Sequence, residues 1–198
     1  MINRIAKFEK VSYEQFEKDF SKLFSDKTKE DIKAIYDNIS LPKRATKGSA
    51  GYDFYSPISF ELKPNETLNI PTGIRVSIAE GWFLSIYPRS GLGFKYRLQL
   101  DNTVGVIDSD YVLSDNEGHI FAKITNDTHN DKKIYIKSGE AFAQGIIQQF
   151  FKTDDDNADG IRNGGFGSTT IWYKILALKY KNKRASIGII WGEWFERK

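Results

Sequence analysis

ISFELKPNETLNIPTGIRVSIAEGWFLSIY, residues 58–87, holds four short runs of apolar and β-branched residues, cut apart by KPNE, PTG and AEG. Each run is too short for a globular helix, and a proline or glycine in every break keeps one from extending across it. The stretch therefore reads as successive strands joined by tight turns. The same texture begins near Leu41 and continues through HIFAKIT (119–125), KKIYI (132–136) and GIIQQFF (145–151). Strands recurring at this interval predict a mainly β sandwich or barrel.

Outside that region the texture differs. RIAKFEKV (4–11) alternates like an opening strand. Ser12 with Gln15 three residues on has the form of a capping box, and Phe16, Phe20 and Leu23 follow at helical spacing. Thr28 and Asp31, then Ile32, Ile35 and Tyr36, signal a second helix, so residues 12–38 read as a short helical insertion. DDDNADG (154–160) is a polar linker and RNGGFGSTT (162–170) a glycine-rich arm. Residues 171–198 are set apart by three of the four tryptophans. The resulting division is a β domain over 1–161, an arm over 162–170 and an atypical tail over 171–198.

The 198 residues suffice for one domain with a real core. There are no cysteines, which excludes disulfides and thiolate metal sites, and only His119 and His129 offer imidazole ligands. MINRIAKFEK lacks the apolar core of a signal peptide and no run is long enough to span a bilayer, so no membrane role and a cytoplasmic location are expected. The net charge of +3 is uneven: residues 171–198 carry seven Lys/Arg against two acids, and the rest carries 22 against 24. A body so balanced has no electrostatic footprint for nucleic acid.

Five stretches could carry chemistry. GSAGYDF (48–54) places Asp53 at a turn into a strand. PRSGLG (88–93) is a proline-entered turn that can present a guanidinium, a hydroxyl and free N–H groups to phosphate. NTVGVIDSDY (102–111) sets Asp108 and Asp110 after an apolar run, and by itself reads as a strand ending in an acidic turn. AFAQG (141–145) contains Gln144, by default a strand residue. RNGGFGST (162–169) is a flexible loop or an anion cradle. Two motifs fail. DDNADG has Asp155, Asn157, Asp159 and Gly160 at the first positions of a calcium loop, but Phe166 stands where the bidentate glutamate belongs. GGFGST lacks the lysine of a nucleotide P-loop.

Taken in order, AGYD, PRSGLG, GVIDSDY, AQG and GGFGST resemble the five motifs of the trimeric dUTP pyrophosphatase (dUTPase) family, over about Leu41 to Thr169. The resemblance implies a jelly-roll-like β-barrel subunit, a homotrimer with shared active sites, and a mobile C-terminal arm. It implies hydrolysis of dUTP to dUMP and pyrophosphate by water attack on the α-phosphate, with Mg2+ on the triphosphate. That reaction keeps uracil out of DNA and supplies dUMP for dTMP synthesis.

The same resemblance assigns roles. Asp108 orients and deprotonates the water, and Asp110 is structural, capping the turn. The VGVI segment forms a β-hairpin pocket in which backbone groups of Gly105, Val106 and Ile107 read the uracil edge, helped by the Asn102 side chain. Cytosine presents the reverse polarity at both positions, so a fixed backbone pattern leaves unpaired groups against it. Tyr111 packs under the deoxyribose and leaves no room for a 2′-hydroxyl. Arg89, Ser90 and Gly91 contact the α- and β-phosphates, with Gln144 nearby, and Asp53 sits near the metal and its waters. In the arm, Phe166 stacks on uracil, Arg162 holds the γ-phosphate, and Gly167, Ser168 and Thr169 wrap the phosphates.

Arg162 and Phe166 are four residues apart where the family has five, and Thr170 replaces a usual glycine. Two rivals share the scaffold. A dCTP deaminase needs a catalytic glutamate on the strand beginning GHI, where Lys123 stands. A non-catalytic regulatory protein could lack the water-activating acid, which is present as Asp108.

Overall fold

Most of the β-rich runs form strands in the computed structural model, which describes residues 4–160 and residue 162. β1 (Ala6–Lys10) leads into helices α1 (Tyr13–Leu23) and α2 (Lys29–Asp37). There follow β2 (Lys43–Arg44), β3 (Tyr52–Tyr55), β4 (Phe60–Leu62), β5 (Thr67–Pro71), β6 (Ile74–Ile78) and β7 (Trp82–Pro88). A short helix α3 (Ser90–Tyr96) precedes β8 (Leu98–Leu100) and β9 (Gly105–Ile107). A 3₁₀ turn (Ser109–Leu113), β10 (Phe121–Asn126), β11 (Ile134–Ile136) and β12 (Ala141–Gln149) complete the body. The mainly β expectation holds.

The largest sheet has strand order β2-β3-β12-β7-β9, with every neighbour antiparallel. A three-stranded sheet runs β5-β10-β8, and β1-β6 and β11-β4 are two-stranded. Between them lies the core, built from Phe54, Leu84, Ile86, Ile107 and Phe142 of the large sheet and Ile70, Leu98 and Ile124 of the three-stranded one. In β10, Ala122, Ile124 and Asn126 point inward while Lys123 is exposed, the alternation expected of a strand with one buried face. Asn126 is fully buried yet satisfied: its amide donates to the carbonyls of Leu62 and Lys132, both at 3.0 Å, and so ties β4 and the approach to β11 to the end of β10.

Both helices begin where the caps predict. Ser12 Oγ accepts from Gln15 N at 3.1 Å, but the box is only half formed, because the Gln15 amide donates instead to Asp19 at 2.6 Å. Thr28 and Asp31 form the complete reciprocal box. Phe16, Phe20 and Ile32 are buried, and the ring of Phe16 lies 5.6 Å from that of Tyr36. A helix pair this short is marginal alone, so the packing against the β body holds it.

Two local expectations change. PRSGLG is not an open turn: Leu92 and Gly93 both donate to the Arg89 carbonyl, starting α3. The VGVI segment is not a two-stranded hairpin either. β8 pairs with β10 and β9 with β7, so the connection at 101–104 crosses between sheets.

Candidate active site

Three of the five motifs meet at one end of the large sheet. Gln144 on β12 stands in register with Asp53 on β3 and with Tyr87 on β7, and β7 ends at Pro88, just before Arg89. Arg89 Nε lies 3.2 Å from Asp53 Oδ1, and Gln144 Nε2 donates to the Pro88 carbonyl at 3.2 Å. Gly51 leaves room for this amide, since a Cβ on it would stand 2.7 Å from Gln144 Oε1 and push the side chain aside. Gly145 has a different reason: a Cβ would meet Leu84 and Phe54 side chains at 2.9 Å, so it is a packing residue of the core. Ser90 and Gly91 are exposed at the start of α3. A cleft of about 580 Å³ opens beside this cluster, lined by Arg89, Ser90, Phe94, Gln144 and their neighbours.

The third motif lies elsewhere on the same sheet. β9 is an edge strand among the described residues, so one row of its backbone N–H and C=O groups faces no neighbouring strand among them. Gly105 packs so closely on Ile86 that an added Cβ would sit 3.2 Å from the Ile86 Cβ, with Asn102 Nδ2 at 3.8 Å. Val106 points outward, 49% exposed, and Ile107 points into the core. Asp108 follows directly, as the residue that begins the 3₁₀ turn: its carbonyl accepts from Tyr111 N at 3.1 Å, and its half-exposed carboxylate is not used as a cap.

Tyr111 is 3% exposed. Its hydroxyl donates to the His119 carbonyl at 3.0 Å and accepts from Asn116 Nδ2 at 3.1 Å. Burial raises the tyrosine pKa, so it stays a neutral donor.

Arg162 packs over this group. Its guanidinium bonds the Asp108 carboxylate, donates from Nε to Asp110 Oδ1 at 2.8 Å, and lies 5.6 Å from the centre of the Tyr111 ring. Asp110 is therefore not a turn cap but one arm of a two-carboxylate clamp on Arg162. Sequence reasoning missed this because the partners are more than fifty residues apart and no local pattern marks them. It also missed His119, a lone histidine in an apolar run, which proves fully buried behind Tyr111. Phe166, Gly167, Ser168 and Thr169 lie outside the described residues.

No cluster of three or more His, Asp or Glu side chains fit to hold a metal ion occurs among the described residues. Asp53 is a single carboxylate already facing a guanidinium. That donor set suits magnesium carried mainly by phosphate oxygens and waters, with Asp53 the one carboxylate that would be available to those waters. Lys123 reaches Asp101 at 2.9 Å across the outer face of the sheet, so the position a deaminase glutamate would need holds a cation.

The sequence model of the dUTPase family matches residues 37–170. The deoxyuridine 5'-triphosphate nucleotidohydrolase of Lactococcus lactis is 42% identical over 134 residues, covering 66% of this chain and 88% of that protein. The enzyme of the same name from Dictyoglomus turgidum is 37% identical over 70% of this chain and 95% of its own. Among solved structures, the dUTPase from Streptococcus mutans matches with a TM-score of 0.54 at 33% identity, over 74% of this chain and 98% of that one. A staphylococcal bacteriophage 80alpha dUTPase mutant solved with dUpNHpp matches with a TM-score of 0.51 at 26% identity, over 65% of this chain and 87% of its own.

Proposed function

The chain belongs to the dUTPase family, and from that premise we propose that it hydrolyses dUTP to dUMP and pyrophosphate. The observation that carries the reading is the sequence of surfaces along β9 and its turn: a free backbone edge, then a half-exposed Asp108, then the Tyr111 ring. They put a base reader, a proton acceptor and a sugar platform within seven residues of one another, the three functions that a nucleotide's base, phosphate and sugar require.

In this reading the free edge of Gly105–Ile107, with Asn102, pairs with uracil, and Tyr111 lies against the deoxyribose. Asp108 accepts a proton from the attacking water. The water oxygen bonds to the α-phosphorus as the bond from that phosphorus to the αβ-bridging oxygen breaks, and pyrophosphate leaves. Arg89, the exposed Ser90 and Gly91 at the start of α3, and Gln144 neutralise and orient the phosphates, which is where most of the catalytic effect of a phosphoryl-transfer site arises. Magnesium, when bound to the triphosphate, would offset its charge, and Asp53 is the residue that would hold its waters. Arg162 leaves the two carboxylates for the γ-phosphate when substrate arrives, and Phe166 with Gly167, Ser168 and Thr169 closes over it.

The site is shared between subunits of a homotrimer, each a jelly-roll-like barrel. What supports this is register. Ile107 faces Leu84 on β7, five residues before Arg89, so at about 3.3 Å per residue Asp108 and Arg89 of one chain stand roughly 16 Å or more apart. A water held by Asp108 and a phosphate held by Arg89 must meet at one α-phosphorus, and a separation this wide favours a site in which the two residues come from different chains. Phe94 at 94% and Leu113 at 72% exposure supply apolar surface for such an assembly. No helix of the described residues is long and apolar enough to cross a membrane. Work on the cytoplasmic nucleotide pool is part of the proposal.

The test is pyrophosphate release from dUTP, dCTP, dTTP and UTP by the wild type and by Asp108→Asn. Turnover of dUTP alone, falling at least about 10²-fold in the variant with binding retained, is the expected result. Equal turnover by both proteins would remove Asp108 from the mechanism.

A further inference from the structure

We propose that Asp19, on the N-terminal helix α1, is a positioning residue for the sugar-facing wall of the active site, acting through His119 on Tyr111. The proposal rests on the reading above in which Tyr111 lies against the deoxyribose.

Hydrogen-bond direction makes the connection definite. Gly73 N–H, which can only donate, points at His119 Nε2 at 2.8 Å, so Nε2 is the acceptor. The ring proton is then on Nδ1, which donates to Asp19 Oδ2 at 2.9 Å. His119 is completely buried and Asp19 is 6% exposed, so water does not compete for either group. Asp19 is held in turn by Gln15 Nε2 at 2.6 Å and Lys22 Nζ at 3.2 Å, both on its own helix. With both ring nitrogens engaged, the imidazole has one orientation, and its backbone carbonyl is fixed with it. That carbonyl is the acceptor for the Tyr111 hydroxyl at 3.0 Å, and it also accepts from Asn116 Nδ2 at 3.2 Å.

A second strap runs between the same two elements. Glu117, two residues before His119, takes the Ser12 hydroxyl at 2.6 Å and the Ser12 N–H at 2.8 Å. Ser12 is the residue that caps α1. The helix thus grips the 116–119 loop at its first turn and again at Asp19, two turns further along. Neither Ser12 nor Asp19 lies in the segment matched to the family, which begins at residue 37. The family match does not extend to this helix, which in this chain packs behind the tyrosine that reads the sugar.

A positioning role and a merely structural one differ in what they do to substrate choice. If Asp19 only stabilises the fold, its loss lowers the melting temperature and leaves the ratio of kcat/KM for dUTP over UTP unchanged. If it places Tyr111, the ring drifts, the space for a 2′-hydroxyl opens, and the ratio falls.

The experiment measures that ratio, with melting temperature and sedimentation, for full-length wild type, Asp19→Ala, Asp19→Asn and Asp19→Glu. Asp19→Ala should lower the ratio at least about tenfold, mostly through better UTP turnover. Asp19→Asn, whose amide oxygen accepts the same Nδ1 proton, should stay within about threefold of wild type. Asp19→Glu keeps charge and acceptor but displaces the carboxylate by one methylene. It keeps the proposal testable if Asp19→Ala does not fold, and it should also lose selectivity. A folded Asp19→Ala or Asp19→Glu with an unchanged ratio overturns the proposal. A wild type that does not discriminate dUTP from UTP overturns instead the sugar-platform reading of Tyr111 on which it rests.

Discussion

Acid should loosen the helical segment before the rest of the body, by an amount that the surroundings of Asp19 set. Burial by itself raises the pKa of this carboxyl. Hydrogen bonds from His119, Gln15 and Lys22 together outweigh that, and hold it down at about 2 against an ordinary 3.8. A group whose folded pKa is depressed stabilises the fold above its unfolded pKa and loses that contribution as pH falls through the folded value. The window is therefore about pH 4 down to about pH 2. At 1.36 kcal/mol per unit the contribution is at most about 2 kcal/mol near neutrality, an upper value because Lys22, one of the three donors, is exposed and screened by solvent. In a protein of this size that is roughly 4–8 °C in Tm. The assay compares wild type with Asp19→Asn by urea denaturation from pH 7 to pH 2 at one protein concentration, since assembly also shifts stability. The difference between the two should be at most about 2 kcal/mol at pH 7 and shrink toward zero by pH 2. A difference constant over that range would show that the carboxylate titrates alike in folded and unfolded chains, and the reasoning would fail.

Gly51→Ala should turn the Gln144 amide away from the Pro88 carbonyl, because its methyl would start 2.7 Å from Gln144 Oε1. We expect KM for dUTP to rise about tenfold or more while Tm falls by only a few degrees, and unchanged kinetics would clear Gln144 of a phosphate role. Mixing inactive Asp108→Asn subunits with inactive Arg89→Ala subunits should restore part of the wild-type activity, because some sites then draw both intact residues from different chains. Absence of any recovery in verified mixed trimers would place the two residues in one chain's site. A chain ending at Thr170 should keep kcat/KM within about threefold of full length, the extension being foreign in composition to the family's body; a tenfold loss would give residues 171–198 a catalytic part.

Strands and helix starts were legible because local chemistry decides them. The alternation of IRVSI and the turn residues around TLNI place β5 and β6 within a residue of what forms. Where partners decide, the sequence says less. ISFEL yields strand only from Phe60, since the Ser56 hydroxyl donates to the Ile58 carbonyl at 2.6 Å and holds the preceding residues in a turn. β12 begins at Ala141 and stops at Gln149, short of Phe150 and Phe151, because its length is set by pairing with β3 and β7. The same division governs the site. Asp53, Arg89 and Gln144 were found through motifs, and their convergence follows from the strand order. The Arg162 clamp and the link from Asp19 to His119 join residues 52 to 100 positions apart. Such contacts leave no periodicity to read.

The place of β12 in the large sheet has a consequence for how the chain matures. It is the last strand of the body to be made, yet it lies between β3 and β7, with Ala141 across from Tyr55 and Gln149 across from Trp82. At a synthesis rate of about 5–20 residues per second, β3 waits roughly 4–17 s for its partner. β7 closes one flank earlier with β9, but its other flank, carrying WFLSIYP, stays unpaired over most of that interval. A run this apolar with an open edge is what strand-to-strand aggregation recruits. Pairing of this range also makes folding slow. Yield in a cell should therefore depend on chaperone capacity during those seconds more than on the stability of the finished protein.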